Sequence, residues 1–432
     1  MYSTDTRTLQ PGETYVAVRG DLHDGHDFVA EAVARGAAGV VVEREVEVPA
    51  GVAVTRVPDA VGHLVAEASQ KVRQSGARVV AITGSVGKTS TRAAVSAVLA
   101  EAFDVVASEG NKNTPLGLSL GLLNRDFGSE SVLVLEMGAR LPGDIAELCR
   151  AFPPTVSVVT AVRGVHLETL GTLDGVEREK GAIVRALGPG GTACLNGDDA
   201  RVRRMAETTD ARSILYGAGP GCDVGPDAIT AALPTLGAHA VTTALAAFAV
   251  GRALGMDDAA VNRGLEKIRP EPGRLNRLAG RDGSILIDDT YNASPDAALA
   301  ALDVLRAQDG RRRIAVLGDM LELGEGEVEE HVRVLEDAAR DLDRVVAVGE
   351  IMGRAVGRLS AGAQSRVTHV GTSAALAEAV GAGQAGFPEP GDVVLVKGSQ
   401  GARMERVSAA LLAPDLDPAD WLPRQSESWR QR

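Results

Sequence analysis

Cysteine is scarce in this chain: only Cys149, Cys194 and Cys222 occur among 432 residues. Their number is odd and their positions are far apart, so the sequence offers neither a disulfide framework nor the paired cysteines of a zinc site. This usage is typical of a reducing compartment. The N-terminus Met1–Asp5 also lacks the basic start and apolar core of a secretory signal. We therefore expect a cytoplasmic protein.

Long apolar runs and a net positive charge are lacking as well. No stretch reaches the ~18 apolar residues that a membrane-spanning helix requires, so we expect no membrane insertion. The formal net charge is −13 at pH 7, whereas nucleic-acid-binding surfaces are basic, so we expect no nucleic-acid partner. Hydrophobic residues still make up 45% of the chain, which is enough to form sizeable buried cores.

The chain does contain a regular alternation of strand and helix patterns, which predicts an α/β fold with mostly parallel sheets. We predict three domains: a small, shortened α/β domain at 1–76, a central P-loop domain with a parallel sheet at 77–283, and a further α/β domain at 284–432. The prolines and glycine of 269–274 indicate a hinge before the third domain. The tail from Pro414 onward is rich in proline, serine and arginine, so we expect it to be poorly ordered.

The individual elements follow from hydrophobic periodicity. Predicted strands lie at 14–18, 39–42, 79–83, 132–136, 156–161, 191–196, 285–288, 314–317, 345–348 and 393–396. Predicted helices lie at 27–35, 60–75, 91–102, 142–151, 175–186, 236–254, 257–267, 295–307, 326–341, 373–380 and 402–412.

The central feature of the sequence is the P-loop segment from Val79 to Ser90. An apolar strand pattern is followed by a Gly-rich turn and a Lys-Thr pair that opens an Ala-rich helix. This order suits a triphosphate, because backbone N–H groups converge on the phosphates, the lysine adds positive charge and the hydroxyl reaches Mg²⁺. The usual pattern has glycine where this chain has Ile82, so the loop is a variant, and an ordinary Gly-rich turn is the alternative. The predicted nucleotide-binding residues are Gly84, Ser85, Gly87, Lys88, Thr89 and Ser90.

Three further features follow the P-loop along the chain. Glu136 ends an apolar strand, where a carboxylate can meet Mg²⁺ beside the P-loop hydroxyl. His166 lies in a loop and Lys180 in a helix pattern; taken alone, they would be a surface histidine and a solvated lysine. The polar turn that holds Asn111 and Asn113 indicates either a binding loop or an exposed turn.

Polar residues also follow three predicted strands of the third domain. Asp289 and Asn292 follow one strand, Asp319 another and Lys397 a third. The carboxyl ends of parallel strands meet at one edge of a sheet, where such sheets bind ligands. Ordinary polar loops are the alternative. We expect this edge to look across a cleft at the P-loop domain.

Taken in order, these motifs resemble the Mur ligase superfamily over nearly the whole chain, and within it the ligases that add D-alanyl-D-alanine to a UDP-muramoyl tripeptide. The segments that carry the resemblance are Ser3–Arg7 with Pro11-Gly12, Gly25–Phe28, Thr83–Thr89, Gly110–Asn113, Glu136–Gly138, His166–Glu168, Lys180-Gly181, Pro272–Arg274, Asp289–Asn292, Gly318–Gly324 and Val396–Ser399. The resemblance implies an N-terminal UDP-substrate domain, a central ATPase and a C-terminal Rossmann-like domain that brings the amine. It implies ATP-dependent amide formation through an acyl phosphate.

The resemblance also implies roles for individual residues. Lys88 would neutralise the β- and γ-phosphates of ATP. Two Mg²⁺ sites are implied, the first held by Thr89 and Glu136 and the second involving His166 and a carbamylated Lys180. The implied catalytic residues are Lys88, His166 and Lys180; the implied nucleotide contacts from the hinge and the third domain are Arg274 and Asp289; and the residues assigned to the carboxylate and amine substrates are Asn111, Asn113, Asn292, Asp319 and Lys397.

Two departures from the family pattern leave the substrate open. The first domain lacks a stretch that these ligases carry before the Asp-Thr-Arg turn, and His239–Thr243 lacks the two asparagines that the family places near adenine. One hypothesis is the peptidoglycan enzyme itself, and a second is a ligase of a specialised pathway that acts on a smaller carboxylate. A third is a non-catalytic nucleotide-binding scaffold. For each of them we expect a monomer.

Overall fold

In this computed structural model, the described residues are 1–20, 23–110, 112–165, 167–233, 237–269, 272–426 and 429. Asn111 and His166 therefore lie outside the described part of the chain. The chain divides into two compact units, one comprising Met1–Ala232 with Val241–Arg269 and the other Leu233–Ala240 with Pro270–Arg432. Among the described residues, no helix is both long enough and apolar enough to cross a membrane.

The N-terminal sheet has four parallel strands in the order β1-β2-β3-β4. Its elements are β1 (Tyr2–Ser3), β2 (Thr14–Val16), α1 (Val29–Ala34), β3 (Gly39–Val42), β4 (Ala53–Arg56) and α2 (Ala60–Ser75). Strand β3 is buried at all four residues, as its Gly-Val-Val-Val sequence favours. Strand β4 is exposed at all four residues and has no apolar run, which is why periodicity did not predict it.

The central sheet has six parallel strands in the order β10-β9-β8-β5-β7-β6. Its elements and the helices that follow them are β5 (Arg78–Thr83), α3 (Lys88–Leu99), β6 (Asp104–Ala107), α4 (Pro115–Leu123), β7 (Ser131–Glu136), α5 (Asp144–Ala151), β8 (Val156–Val159), α6 (Leu167–Leu170), α7 (Leu173–Arg185), β9 (Thr192–Asn196), α8 (Ala200–Arg203), β10 (Arg212–Tyr216), α9 (Ala238–Ala253) and α10 (Asp258–Glu266).

The P-loop strand β5 lies between β7 and β8 in this sheet. From β5 the chain runs to β6 and then β7 on one side, and afterwards crosses to β8 on the other. The carboxyl end of β5 is therefore a topological switch point, where open α/β sheets bind ligands. Strands β7 and β8 are buried at every residue. The carboxyl ends of these three strands therefore bring their terminal polar residues to one place.

The third sheet has the strand order β11-β12-β16-β13-β14-β15, with only β11 antiparallel to its neighbour. Its elements are β11 (Asn276–Ala279), β12 (Ile285–Asp289), α11 (Pro295–Arg306), β13 (Arg313–Gly318), α12 (Glu327–Asp341), β14 (Arg344–Val348), α13 (Glu350–Val356), α14 (Ala361–Gln364), β15 (Val367–Val370), α15 (Ser373–Gly381), β16 (Val393–Lys397), α16 (Glu405–Leu411) and α17 (Pro418–Trp421). The predicted α/β class with three sheet-based domains is confirmed. The boundaries 1–76, 77–283 and 284–432 stay predictions, and β11 begins before residue 284.

The C-terminal tail differs from the expectation of poor order. After Pro414 the chain forms the short helix α17, and Leu422 is 3% exposed and packs into the core of the second unit. The expectation was wrong for residues 414–426. Composition alone does not show that a few apolar and arginine side chains of this segment contact residues elsewhere in the chain.

Candidate active site

The glycines of the P-loop are required by its close contact with the end of β8. A Cβ built on Gly84, whose φ is +149°, would lie 2.0 Å from Thr160 Oγ1 and 3.1 Å from the backbone nitrogen of Ala161. Gly87 has φ +80° and precedes the first residue of α3, a left-handed conformation that glycine adopts without steric cost. The loop backbone can therefore approach a phosphate closely at a helix N-terminus.

Hydrogen bonds hold the P-loop in this shape. The Ser85 N–H donates to Ala161 O at 2.8 Å. The Thr160 hydroxyl donates to Val86 O at 2.5 Å. Ser85 Oγ donates to Arg163 O at 3.1 Å and accepts from the Arg163 N–H at 2.9 Å. Ser85, predicted to bind nucleotide, thus uses its hydroxyl to fix the loop against the segment that follows β8.

Lys88 opens α3 and keeps its charge at the loop. Its Nζ donates to Gly84 O at 2.8 Å and to Ser85 O at 3.4 Å. The half-buried Thr89 and Ser90 follow in the first helical turn. The predicted nucleotide-binding residues of the P-loop are therefore together, with the lysine charge beside the N–H groups of the helix start.

The hydroxyl and the carboxylate predicted to bind Mg²⁺ are in contact. Thr89 Oγ1 donates to Glu136 Oε2 at 2.9 Å, and Asn113 Nδ2 donates to Glu136 Oε1 at 2.9 Å. Mg²⁺ prefers oxygen ligands and is usually held by one or two carboxylates together with substrate phosphates. The described residues contain no group of three or more His, Cys, Asp or Glu side chains that could hold a metal by themselves. The pair therefore fits a cation shared with a nucleotide, and Asn113, predicted to bind substrate, orients the carboxylate.

Lys180 is a buried cation close to the P-loop lysine. It lies in α7 and is 1% exposed. Burial lowers the pKa of Lys180 to about 8, and the positive charge of Lys88 is the next largest cause of this lowering. Glu179 and Asp144 act in the opposite direction. The two lysines predicted to be catalytic thus influence each other electrostatically. Burying a second positive charge here is unfavourable unless an anion accompanies it.

Four of the residues predicted in the second unit form a single cluster. Lys397 Nζ donates to Asp289 Oδ2 at 2.6 Å and to Asn292 O at 3.0 Å. Asp289 Oδ1 accepts from the Leu275 N–H at 3.3 Å, next to Arg274, whose guanidinium carbon lies 4.2 Å from the centre of the Tyr291 ring. The buried Lys397–Asp289 pair therefore joins the end of β16 to the turn that carries Arg274.

Asp319 lies at the end of a neighbouring strand, β13, and has a partner of its own. Its Oδ1 accepts from the Met352 N–H at 2.8 Å, and a Cβ on Gly349 would lie 2.4 Å from its carboxyl group. The Asp319 carbonyl accepts from the Ser399 N–H at 3.0 Å. Asp319 was predicted to bind substrate, and its side chain here fixes the start of α13.

Sequence reasoning missed several residues that support these sites. Thr160 holds the P-loop. Glu179, beside Lys180, accepts from the Gly143 N–H at 2.7 Å and the Ile145 N–H at 2.8 Å, and so fixes α5 to α7. A signal existed for Thr160, a polar residue near the end of a predicted buried strand. None existed for Glu179, because its partners lie far away in the sequence.

Three sequence models of one family match the chain: Mur ligase middle domain over residues 82–251, Mur ligase, glutamate ligase domain over 273–400, and Mur ligase family, catalytic domain over 1–103. The chain is 33% identical to the UDP-N-acetylmuramoyl-tripeptide–D-alanyl-D-alanine ligase of Mycobacterium tuberculosis, over 95% of this chain and 92% of that protein. It is 32% identical to the ligase of the same name from Escherichia coli, over 95% and 93%.

Solved structures agree with these relatives. A crystal structure of MurF from Acinetobacter baumannii superposes with a TM-score of 0.84 at 30% identity, over 94% of this chain and 92% of that one. MurF ligase from Thermotoga maritima in complex with ADP gives 0.78 at 28% identity, over 95% and 96%. The predicted enzyme class, an ATP-dependent ligase, is confirmed. The chain therefore belongs to the Mur ligase family.

Proposed function

We propose that this enzyme joins D-alanyl-D-alanine to the carboxylate of a UDP-muramoyl tripeptide while ATP is converted to ADP and phosphate. The observation that carries the proposal is the contact of Thr89 with Glu136 at a P-loop, in a chain similar along 95% of its length to ligases named for that reaction. The ADP complex of a similar protein supports ATP as the nucleotide.

The chemistry fits the charges at the P-loop. A carboxylate oxygen attacks the γ-phosphorus and the bond from that phosphorus to ADP breaks, which gives an acyl phosphate. The amine then attacks the carbonyl carbon, loses a proton, and phosphate leaves with the original carboxylate oxygen. Lys88 and the N–H groups at the start of α3 offset the negative charge of the phosphates, which is the main requirement in phosphoryl transfer. Thr89 and Glu136 would hold Mg²⁺, which supplies further positive charge when bound.

The buried Lys180 supports a carbamate at this position. A neutral amine adds to carbon dioxide and loses a proton, and the product is an anion in place of a cation. With a pKa of about 8, about a tenth of the amine is neutral at pH 7. A carbamate there would also relieve the repulsion from Lys88 and could serve a second Mg²⁺, with His166. The monomeric state and the cytoplasmic location stay predictions.

The deciding experiment measures phosphate release from ATP with D-alanyl-D-alanine, with and without UDP-muramoyl tripeptide. We expect phosphate release only when both substrates are present. In the same reaction, mass spectrometry should detect the UDP-pentapeptide product. Absence of stimulation by the UDP substrate would contradict the proposal.

The departures from the family pattern, of which His239–Thr243 is one, leave the ligase of a smaller carboxylate as a second candidate. A panel of amino acids, dipeptides and simple carboxylic acids in the same assay separates the two. Turnover with such an acid, and none with the UDP substrate, would favour the second. No turnover with any pair would contradict both candidates.

A further inference from the structure

A segment near the C-terminus runs along the turn that carries Arg274. Leu422 is 3% exposed and packs among the apolar side chains of the second unit. Pro423 follows, and a Cβ on Gly273 would lie 3.0 Å from its Cγ. The side chain of Arg424 is 7% exposed. Residues 422–424, which we name the strap, therefore lie against the hinge turn.

Arg424 binds the backbone of the loop that follows β12. Its Nη1 donates to Tyr291 O at 3.1 Å, and its Nη2 donates to Thr290 O and, at 2.9 Å, to Glu405 Oε2. Glu405 is 2% exposed, so the ion pair is buried. Arg424 also has φ +59°, a left-handed conformation that is unfavourable for a residue with a Cβ. Its fork of donors thus compensates for an unfavourable backbone conformation.

This loop in turn holds the predicted nucleotide contact Arg274. The Tyr291 N–H donates to Gly273 O at 3.1 Å. The Tyr291 ring lies under the Arg274 guanidinium at 4.2 Å, a cation–π contact. A Cβ on Gly273 would lie 2.7 Å from the Tyr291 nitrogen, so the hinge turn and the loop are in direct backbone contact. Contacts therefore connect Arg424, through Tyr291, to Arg274.

We propose that the strap fixes the hinge turn and that Arg424 is a positioning residue for nucleotide binding, acting through Tyr291 on Arg274. The link of Arg424 to the nucleotide rests on the function proposed above. The effect of Arg424 on the loop that carries Tyr291 rests only on the contacts within the second unit.

Two measurements test the strap separately from the function. Hydrogen exchange of the peptide that contains Tyr291 reports whether the loop is held, and calorimetric titration with ADP and Mg²⁺ reports nucleotide affinity. In Arg424→Ala we expect faster exchange at Tyr291. The Kd for ADP should rise about threefold to tenfold, the range of one cation–π contact. Arg424→Lys keeps a charge for Glu405 but loses the fork, so both effects should be intermediate; it carries the test if the alanine variant does not fold.

The control is Arg406→Ala, because Arg406 of α16 makes no side-chain hydrogen bond or ion pair within the described residues; it should match the wild type. If Arg424 acts through Arg274, the double variant Arg274→Ala/Arg424→Ala should bind ADP as Arg274→Ala does. Unchanged exchange at Tyr291 in Arg424→Ala would overturn the strap. Multiplied losses of affinity in the double variant would overturn its link to Arg274. A wild type that binds no ADP would instead contradict the proposed function.

Discussion

At the scale of single residues, Lys180 carries the most specific chemical expectation. A buried amine beside Lys88 is unfavourable as a cation, and a carbamate would turn it into an anion near the predicted metal site. We expect Lys180→Ala to lower the ligation rate at least about a hundredfold, since one preorganised electrostatic group is worth about that much. Added bicarbonate should not restore it.

The matched control is Lys267→Ala, because Lys267 is an exposed lysine whose Nζ pairs with Glu101 at 2.6 Å. It should retain wild-type activity. Initial rates of phosphate release at saturating substrates compare the two variants with the wild type. Ligation by Lys180→Ala at the wild-type rate would contradict a functional carbamate at Lys180.

Thr160 allows a test of the P-loop without touching a predicted ligand. Its hydroxyl donates to Val86 O at 2.5 Å and lies where a Cβ on Gly84 would be. Thr160→Val keeps the shape but removes the hydrogen bond, so we expect the KM for ATP to rise about fivefold to tenfold, in keeping with about 1 kcal/mol for one hydrogen bond. Thr160→Ser keeps the hydroxyl and should restore the wild-type KM. Equal KM values for the valine and serine variants would show that the hydroxyl does not hold the loop.

At the scale of elements, strand ends organise both units. Sequence periodicity predicted most strands and helices, and polar residues at or just after the ends of four buried strands were predicted to be functional: Glu136, Asp289, Asp319 and Lys397. It could not show that Asp289 and Lys397 pair with each other, because register between distant strands is set by packing of the whole sheet. For the same reason, periodicity missed the exposed strand β4 and expected no structure in the tail, whose Leu422 and Arg424 depend on distant partners.

Ser399 shows how such distant partners join the loops of the third sheet. Its Oγ accepts from the Leu321 N–H at 2.9 Å and donates to Ala293 O at 3.2 Å, and the residue is 3% exposed. Ser399→Ala would leave these two backbone groups without this partner, so we expect a loss of about 1–3 kcal/mol in the free energy of unfolding. Both tryptophans, Trp421 and Trp429, lie in the second unit, so tryptophan fluorescence in urea follows its unfolding.

The control for this change is Ser365→Ala, since Ser365 makes an exposed hydrogen bond to Gly362 O. It should change the free energy of unfolding by less than about 0.5 kcal/mol. If Ser399→Ala were as stable as this control, the hydrogen bonds of the Ser399 hydroxyl to Leu321 and Ala293 would not contribute to the free energy of unfolding.

At the scale of the whole molecule, Asp288 links stability to pH. Burial raises the pKa of this carboxyl to about 7; hydrogen bonds from Ser408 and Thr290 act in the opposite direction, and Asp289 adds to the rise. Its Oδ2 is buried without a hydrogen-bond partner, which is more unfavourable for the charged carboxylate than for the neutral acid. Between pH of about 4 and 7 the folded protein holds a proton that the unfolded chain has released, so the unfolding free energy falls as pH rises.

Asp288→Asn mimics the protonated acid, so unfolding of the variant releases no proton from this position. We therefore expect the variant to gain stability relative to the wild type as pH rises from 4 to 7, by at most about 4 kcal/mol, with no further gain above pH 7. Urea unfolding followed by tryptophan fluorescence at several pH values measures the difference. A constant difference across this window would contradict the raised pKa.

The central claim is that the enzyme activates a carboxylate with ATP before an amine attacks it. The most direct test uses UDP-muramoyl tripeptide labelled with ¹⁸O in both oxygens of its terminal carboxylate, together with ATP and D-alanyl-D-alanine. We predict that each phosphate released carries a single ¹⁸O atom and that the amide product keeps the other. Amide product accompanied by unlabelled phosphate would contradict an acyl phosphate, and absence of any amide product would contradict the proposed reaction itself.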